Sequence, residues 1–173
     1  SDLRDRLLSA MGAACRNDEF FLEYQPIVDV DSGRAVSHEA LIRWQSPVLG
    51  LLLPERFLPI AERLGVIVQI GEWVLQNAVR QARLWRDQGF DDFSIAVNVS
   101  TLQLLRPGFF NEVMAMLQTA GVRGVRFNQT RSAVTSLADL EPLAERIAPL
   151  GWHAQLLLPA DELVPLVLRL ARL

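Results

Sequence analysis

Predicted strands and helices alternate along most of this 173-residue chain, and that alternation constrains the fold more than any other feature of the sequence. From Ala35 onward, each short apolar run is followed by a stretch in which apolar residues recur with helical spacing. The predicted strands cover residues 20–30, 35–44, 94–99, 125–130 and 153–158. The predicted helices cover residues 1–16, 54–64, 70–88, 137–150 and 161–173, with one more that follows Pro107-Gly108 and ends at Ala120. Such alternation is typical of a parallel sheet with helical crossovers.

The first two predicted strands are an exception, because the turn Asp31-Ser32-Gly33 joins them closely enough to form a hairpin. The first strand would then run antiparallel to its neighbour, and the sheet would contain about five strands. A closed eight-stranded α/β barrel usually needs about 250 residues. The sequence therefore predicts an α/β fold with too few residues to close such a barrel alone.

The basic residues of the chain exclude several kinds of chemistry. All 17 of them are Arg, so a lysine Schiff base and a lysine-containing phosphate loop are impossible within this chain. The 20 acidic residues bring the net charge to −3. This balance argues against nucleic acid as a partner, since nucleic acid requires a basic surface.

The single cysteine, Cys15, excludes an internal disulfide and a cysteine-cluster zinc site. We expect it to be a small buried or half-buried hydrophobic residue in a reducing compartment. No apolar run approaches the roughly 18–20 residues of a membrane span. We therefore expect a cytoplasmic protein without a membrane span.

A series of motifs occurs in a fixed order in the first hundred residues. The second predicted strand contains Glu39-Ala40-Leu41 followed by Arg43-Trp44, and Tyr24-Gln25-Pro26 lies on the strand before it. Further matches cover residues 53–62, 70–75 and 96–100. The series resembles the EAL family of cyclic di-GMP phosphodiesterases. The resemblance implies a partial (β/α) barrel of the TIM type that lacks the last strands.

The resemblance also implies a site. In that family, carboxylates and one asparagine hold two divalent cations that activate water against a phosphodiester of cyclic di-GMP, and oxygen ligands suit such cations. By position, Glu39 would be the first metal ligand and Asn98 the second, while Arg43 would pair with a phosphate. The residues expected to contact cyclic di-GMP are Gln25, Glu39, Leu41, Arg43 and Asn98.

The residues alone leave other roles open for the same side chains. Glu39 could instead pair with an arginine or with water, and Asn98 could satisfy neighbouring backbone groups. Because successive side chains of a strand point to opposite faces, His38 is expected to point away from Glu39.

The sequence departs from the family pattern where further metal ligands are expected. Asn128 stands at the position of a glutamate ligand, and Arg131 replaces a second acidic residue. Residues 156–160 lack the carboxylates that the family places at the end of its fifth strand, and the next carboxylate is Asp161. Loss of a residue that merely supports a metal ligand costs roughly 10–100-fold in affinity or activity. We therefore expect no catalytic residue and no cofactor, with Glu39 and Asn98 as a vestigial metal site.

One functional hypothesis and one alternative follow. The hypothesis is a catalytically inactive EAL-type domain that acts in cyclic di-GMP signalling as a protein-interaction or nucleotide-sensing regulatory module. The alternative is a phosphodiesterase that hydrolyses cyclic di-GMP to the linear dinucleotide with Mg²⁺ or Mn²⁺, with Asp161 or Glu162 moving into the site.

The expected domain division is a lead-in helix over residues 1–17 and a truncated EAL-type domain over residues 18–173. The last predicted strand, over residues 153–158, would leave an open sheet edge, which invites pairing with another chain. The apolar face of the helix that begins at Asp161 and ends at Leu173 would cover the open end of the barrel, dock on a partner or form a self-dimer. We expect a regulatory protein partner, or self-association, through this helix and the open edge.

Overall fold

One sheet with helices packed against it makes up the part of the chain that the computed structural model describes, which is residues 9–90, 93–104, 106–120, 126–129 and 154–156. The strands are β1 (Phe20–Val28), β2 (Ala35–Ser46), β3 (Gly50–Leu52), β4 (Ile95–Asn98), β5 (Arg126–Gln129) and β6 (Ala154–Leu156). The helices are α1 (Pro54–Leu64), α2 (Ile67–Asp87), α3 (Thr101–Leu104) and α4 (Phe109–Ala120). Residues 9–14 are also helical.

The strand order is β1-β2-β4-β5-β6, with β3 paired to β2 away from this path. Strands β2, β4, β5 and β6 are parallel neighbours, whereas β1 is antiparallel to β2. The predicted parallel sheet and the predicted antiparallel first strand are therefore confirmed. Within the described residues the sheet is open, and the architecture is that of a partial α/β barrel.

The strand count differs from the prediction, because the described residues contain six strands instead of about five. The additional strand, β3, is three residues long and pairs with the last residues of β2. Its pairing lies past the stretch over which β4 pairs with β2. A short apolar segment after a turn gives no periodic signal, so sequence patterning did not predict it.

The local sequence explains where the hairpin and the first helix turn and end. In the β1–β2 turn, Ser32 donates from both its amide and its hydroxyl to the Asp29 carboxylate, at 2.8 and 2.6 Å, and these bonds lower the pKa of Asp29. Helix α1 begins at Pro54, which has no amide hydrogen to lose. It ends before Gly65, whose φ of +76° is accessible to glycine at low cost. Both helix bounds match the prediction.

Helix α2 is longer than predicted, because it begins at Ile67 instead of Ile70. No side chain caps its first turn, so the sequence carries no start signal there. Tertiary packing sets the start: Val66, Ile67 and Ile70 are all buried in the core.

The core lies between the helices and one face of the sheet. On β2, Ala40, Ile42 and Trp44 are buried on this face. Trp44 contacts the rings of Phe20 and Phe57 with centroids 5.6 and 5.7 Å away. Each large apolar side chain buried here stabilises the fold by roughly 1.5–3 kcal/mol.

A close contact between α2 and the segment after β4 fixes the carboxyl end of β4. Gln103 is 2% exposed, and its side-chain oxygen accepts from the amide and the hydroxyl of Ser100, both at 3.2 Å. A Cβ atom added at Gly71 would lie 1.9 Å from the side-chain nitrogen of Gln103. Only a glycine at position 71 leaves room for the Gln103 side chain in this position. Through its bonds to Ser100, Gln103 then holds the segment that follows Asn98.

The predicted helices 137–150 and 161–173 lie outside the described residues, so their structure is not addressed. Among the helices that the structure does describe, none has the length and apolar character needed to cross a membrane.

Candidate functional site

The face of the sheet opposite the helices carries the polar residues that the sequence singled out. Backbone register pairs Gln25 of β1 with Glu39 of β2, and Glu39 with Ala96 of β4. Because side chains alternate along a strand, Leu41 and Arg43 share this face with Glu39. The five predicted site residues therefore lie on three neighbouring strands and on one face.

Glu39 and Asn98 are in direct contact. The Asn98 Nδ2 amide donates to Oε1 of Glu39 at 2.8 Å, and both residues are half-buried. The parallel register explains the contact, since Asn98 lies two residues beyond Ala96, the partner of Glu39. The contact adds a role that the sequence did not indicate, since Glu39 accepts from an amide and Asn98 donates to a side chain.

Arg43 is held by two contacts. Its Nη2 atom lies 2.8 Å from Oε2 of Glu23, and its Nη1 atom donates to the carbonyl of Ile42 at 2.9 Å. The Arg43 side chain is 13% exposed, whereas that of Glu23 is 54% exposed. The cation expected to bind phosphate is therefore already paired with a carboxylate on the neighbouring strand.

Sequence reasoning missed Glu23, although a signal was present. Glu23 lies two residues before Gln25 on β1 and so shares its face. The hairpin register places it opposite Leu41, diagonal to Arg43. Extending the predicted hairpin residue by residue would have put this carboxylate next to the guanidinium.

Gln25 and Leu41 are the least engaged of the five predicted residues. Gln25 is exposed and Leu41 is half-buried. Register places Gln25 beside Glu39, and Leu41 beside Glu23, so the two border the charged pairs on the sheet.

The backbone of β5 extends the site by one strand. Asn128 is the register partner of Asn98 in the parallel pairing of β4 with β5. The position at which the resemblance places a glutamate ligand is therefore next to Asn98 in the sheet, and it carries an amide residue. Arg131 and residues 157–162, which include Asp161 and Glu162, lie outside the described residues.

The donor set does not fit two divalent cations in the part of the chain that the structure describes. Those residues contain no group of three or more His, Cys, Asp or Glu side chains that could hold a metal ion. Asn98 presents its amide nitrogen to Glu39, whereas a hard cation takes oxygen ligands. The Glu23 carboxylate is already paired with Arg43. Among these residues, the Glu39 carboxylate alone would have to balance the four positive charges of two divalent cations.

The helix-side face at the same level of the sheet is aromatic. The ring of His38 lies 5.2 Å from that of Trp85, which confirms that His38 points away from Glu39. Tyr24 makes an edge contact with Trp85 at 4.9 Å, and burial raises the pKa of Tyr24 to about 12. Cys15 is half-buried, as expected, and burial raises the pKa of its thiol.

Comparison with known proteins identifies the family of this chain. A family model described as the EAL domain matches residues 7–154. This chain belongs to the EAL domain family. Its fold is accordingly that of an EAL barrel, of which the described residues form an open part.

Two relatives of this EAL domain come from Pseudomonas aeruginosa. It is 47% identical over 108 residues to the bifunctional diguanylate cyclase/cyclic di-GMP phosphodiesterase MucR, a match that covers 62% of this chain and 16% of MucR. It is 37% identical over 141 residues to the cyclic di-GMP phosphodiesterase NbdA, which covers 80% of this chain and 18% of NbdA. The chain thus spans less than a fifth of the length of either relative.

A solved structure extends the likeness to the backbone. The structure described as "PaMucR Phosphodiesterase, c-di-GMP complex" superposes with a TM-score of 0.77 at 38% sequence identity. The match covers 86% of this EAL domain and 62% of that chain.

Proposed function

We propose that this EAL domain binds cyclic di-GMP without hydrolysing it and serves cyclic di-GMP signalling as a nucleotide-sensing regulatory module. The observation that carries the proposal is the placement of Glu39, Arg43 and Asn98 on one face of adjacent strands, with Glu39 bound by the Asn98 amide. A relative 38% identical in sequence is described as a complex with c-di-GMP.

Arg43 supplies the binding step. Each phosphodiester of cyclic di-GMP carries one negative charge, and a guanidinium binds such a group with two parallel hydrogen bonds. The low exposure of Arg43 places this charge where water screens it less than at the open surface. Leu41, half-buried beside it, offers an apolar surface for a base. No bound metal is needed for these contacts.

Hydrolysis is the step that the described site does not support. Metal-assisted attack requires cations that lower the pKa of a bound water molecule. Glu39 donates one carboxylate, its neighbour Asn98 turns an amide nitrogen toward it, and the next strand carries Asn128 in register. The function that we propose is accordingly nucleotide binding without a metal ion.

A second candidate is the metal-dependent phosphodiesterase, which the descriptions of MucR and NbdA favour. Mg²⁺ or Mn²⁺ would then need carboxylates from residues that lie outside the described part of the chain, such as Asp161 or Glu162. Glu39 would be the one carboxylate ligand that the described residues contribute, and the Asn98 amide would have to rotate to present its oxygen.

Two further expectations stay predictions. One is the division into a lead-in helix over residues 1–17 and a domain over residues 18–173. The other is a regulatory protein partner, or self-association, through the sheet edge and helix 161–173. Deletion of residues 161–173, followed by light scattering of both proteins, would test self-association.

The decisive experiment is calorimetric titration with cyclic di-GMP, with and without Mn²⁺, followed by chromatography of the nucleotide. We expect saturable binding and no linear dinucleotide, even at high protein concentration. Arg43→Ala should weaken binding by roughly 10–100-fold, the value of a lost charge-assisted hydrogen-bond pair.

Arg83→Ala is the matched control. It removes the same charge from an exposed arginine on α2, whose ion pair with Asp87 is long, at 3.9 Å. Equal binding by the Arg43 and Arg83 variants would refute nucleotide recognition by this face. Appearance of the linear dinucleotide would instead establish the second candidate.

A further inference from the structure

The ion pair between Glu23 and Arg43 occupies the guanidinium that the proposed ligand needs. Glu23 Oε2 lies 2.8 Å from Nη2 of Arg43. A phosphodiester that binds the same nitrogen must displace this carboxylate or share the donor with it. The two anions therefore compete for one cation.

We infer that Glu23 is an internal competitor for Arg43 and sets the affinity of this face for phosphodiester anions. The inference rests on the proposed function, in that the natural anion would be the phosphodiester of cyclic di-GMP. Glu23 is thus an affinity-determining residue that acts through Arg43.

The difference in exposure between the two side chains determines which of them moves. The Glu23 side chain is 54% exposed, so its carboxylate can turn into water at little cost. Ion pairs with an exposed member contribute little to stability. Glu23 is therefore a weak and reversible partner, suited to exchange with a ligand.

Arg43 does not depend on Glu23 for its position. Its side chain is 13% exposed, and its Nη1 atom donates to the carbonyl of Ile42 at 2.9 Å. Burial of the stem and this backbone bond both persist when Glu23 is changed. Removal of the Glu23 charge should therefore release the guanidinium without misplacing it.

The charges of the face point in the same direction. Glu23 and Glu39 are both carboxylates on this face, and Arg43 is paired with Glu23. A cyclic dinucleotide brings two negative charges to this face. Neutralising Glu23 therefore leaves the Arg43 charge free for the ligand.

The test compares wild type with Glu23→Gln by calorimetric titration with cyclic di-GMP. Glutamine keeps the size of the side chain and removes its charge. We expect Glu23→Gln to bind roughly fivefold more tightly, the upper value for loss of an exposed ion pair. Asp87→Asn removes one carboxylate from the far end of α2, on the other side of the sheet, and should leave the affinity at the wild-type value.

A double-mutant cycle shows whether the effect passes through Arg43. In an Arg43→Ala background, Glu23→Gln should change the affinity by less than about twofold. A full fivefold gain in that background would contradict the inference, because the charge would then act without Arg43. Unchanged or weaker binding by the single variant Glu23→Gln would overturn it.

A second probe separates this inference from the proposed function. If cyclic di-GMP binds to neither wild type nor Glu23→Gln, the proposed function fails, and both proteins are then titrated with inorganic pyrophosphate. Tighter pyrophosphate binding by Glu23→Gln would support the competition between anions. Equal binding, or no binding to either protein, would refute it.

Discussion

The two faces of strand β2 differ in how deeply their residues are buried and in the contacts that hold them. Ala40, Ile42 and Trp44 are 3%, 7% and 2% exposed and form the core with the helices. Glu39, Leu41 and Arg43, one residue away in each case, are half-buried on the other face. The first set is held by apolar packing, whereas the charged members of the second set are held by hydrogen bonds and an ion pair. One strand thus supplies core packing on one side and the proposed nucleotide-binding side chains on the other.

The largest effect should come from the core face. Trp44→Ala removes ring contacts to Phe20 and Phe57 and the indole donor to Glu19, which is 3.0 Å away. We expect a loss of about 3–5 kcal/mol in the free energy of unfolding, measured by urea denaturation. Arg43→Ala, one position earlier, should cost less than about 1 kcal/mol in the same assay. Similar losses of unfolding free energy in both variants would contradict this difference between the two faces.

The second-largest effect is expected at Gly71, which packs against Gln103 near the end of β4. Gly71→Ala places a Cβ atom against Gln103 and forces its side chain away from Ser100. Overpacking typically costs about 1–3 kcal/mol, more than the helix propensity gained from alanine. The free energy of unfolding should therefore fall. The double variant Gly71→Ala/Gln103→Ala should lose less than the sum of the single variants, and strict additivity would contradict the proposed clash.

A third effect concerns the face of the sheet that carries Glu39 and Asn98. Asn98→Asp replaces the amide donor by a carboxylate at hydrogen-bond distance from Glu39. We expect a loss of about 1–2 kcal/mol at pH 7, because two carboxylates then share one contact. Unchanged stability at pH 7 would show that the Glu39–Asn98 bond contributes nothing.

The smallest expected effect is a loss of folding stability at alkaline pH, and it involves Tyr24 on the helix side of the sheet. Burial raises the pKa of Tyr24 to about 12, above its usual value near 10. The unfolded chain then loses this proton at lower pH than the folded chain, so the stabilisation is complete below pH 10 and is lost as pH rises toward 12. Because Tyr24 is only partly buried, we expect about 1 kcal/mol. Tyr24→Phe should remove that part of the alkaline decline, and an identical decline in both proteins would rule it out.

Local signals allowed much of the fold to be predicted from the sequence. Pro54 and Gly65 set the bounds of α1, and the alternation on β2 pointed His38 away from Glu39. These features depend on residues a few positions apart, which patterning detects. The start of α2 and the short strand β3 depend on tertiary packing and carry no cap or period.

The contacts within the site were less predictable than the residues. The sequence singled out Glu39, Arg43 and Asn98 as candidates, but it did not predict the groups that they contact. The bond between Glu39 and Asn98 requires the register of two parallel strands, and the pair of Arg43 with Glu23 requires the register of the hairpin. The turn sets the hairpin register, so that pair was within reach of the sequence, whereas no local pattern contains the register of two strands far apart in the chain.

The sequence distance spanned by each contact has a consequence for the order of folding. The β1–β2 hairpin joins neighbouring segments, and hairpins form in roughly 1–10 μs. The Glu39–Asn98 bond joins residues 59 positions apart, and such distant contacts form late. The charged pair of Arg43 and Glu23 can therefore assemble early, while the chain is still being synthesised. The Glu39–Asn98 contact forms only when β4 docks, so an unfinished chain that lacks β4 does not yet contain it.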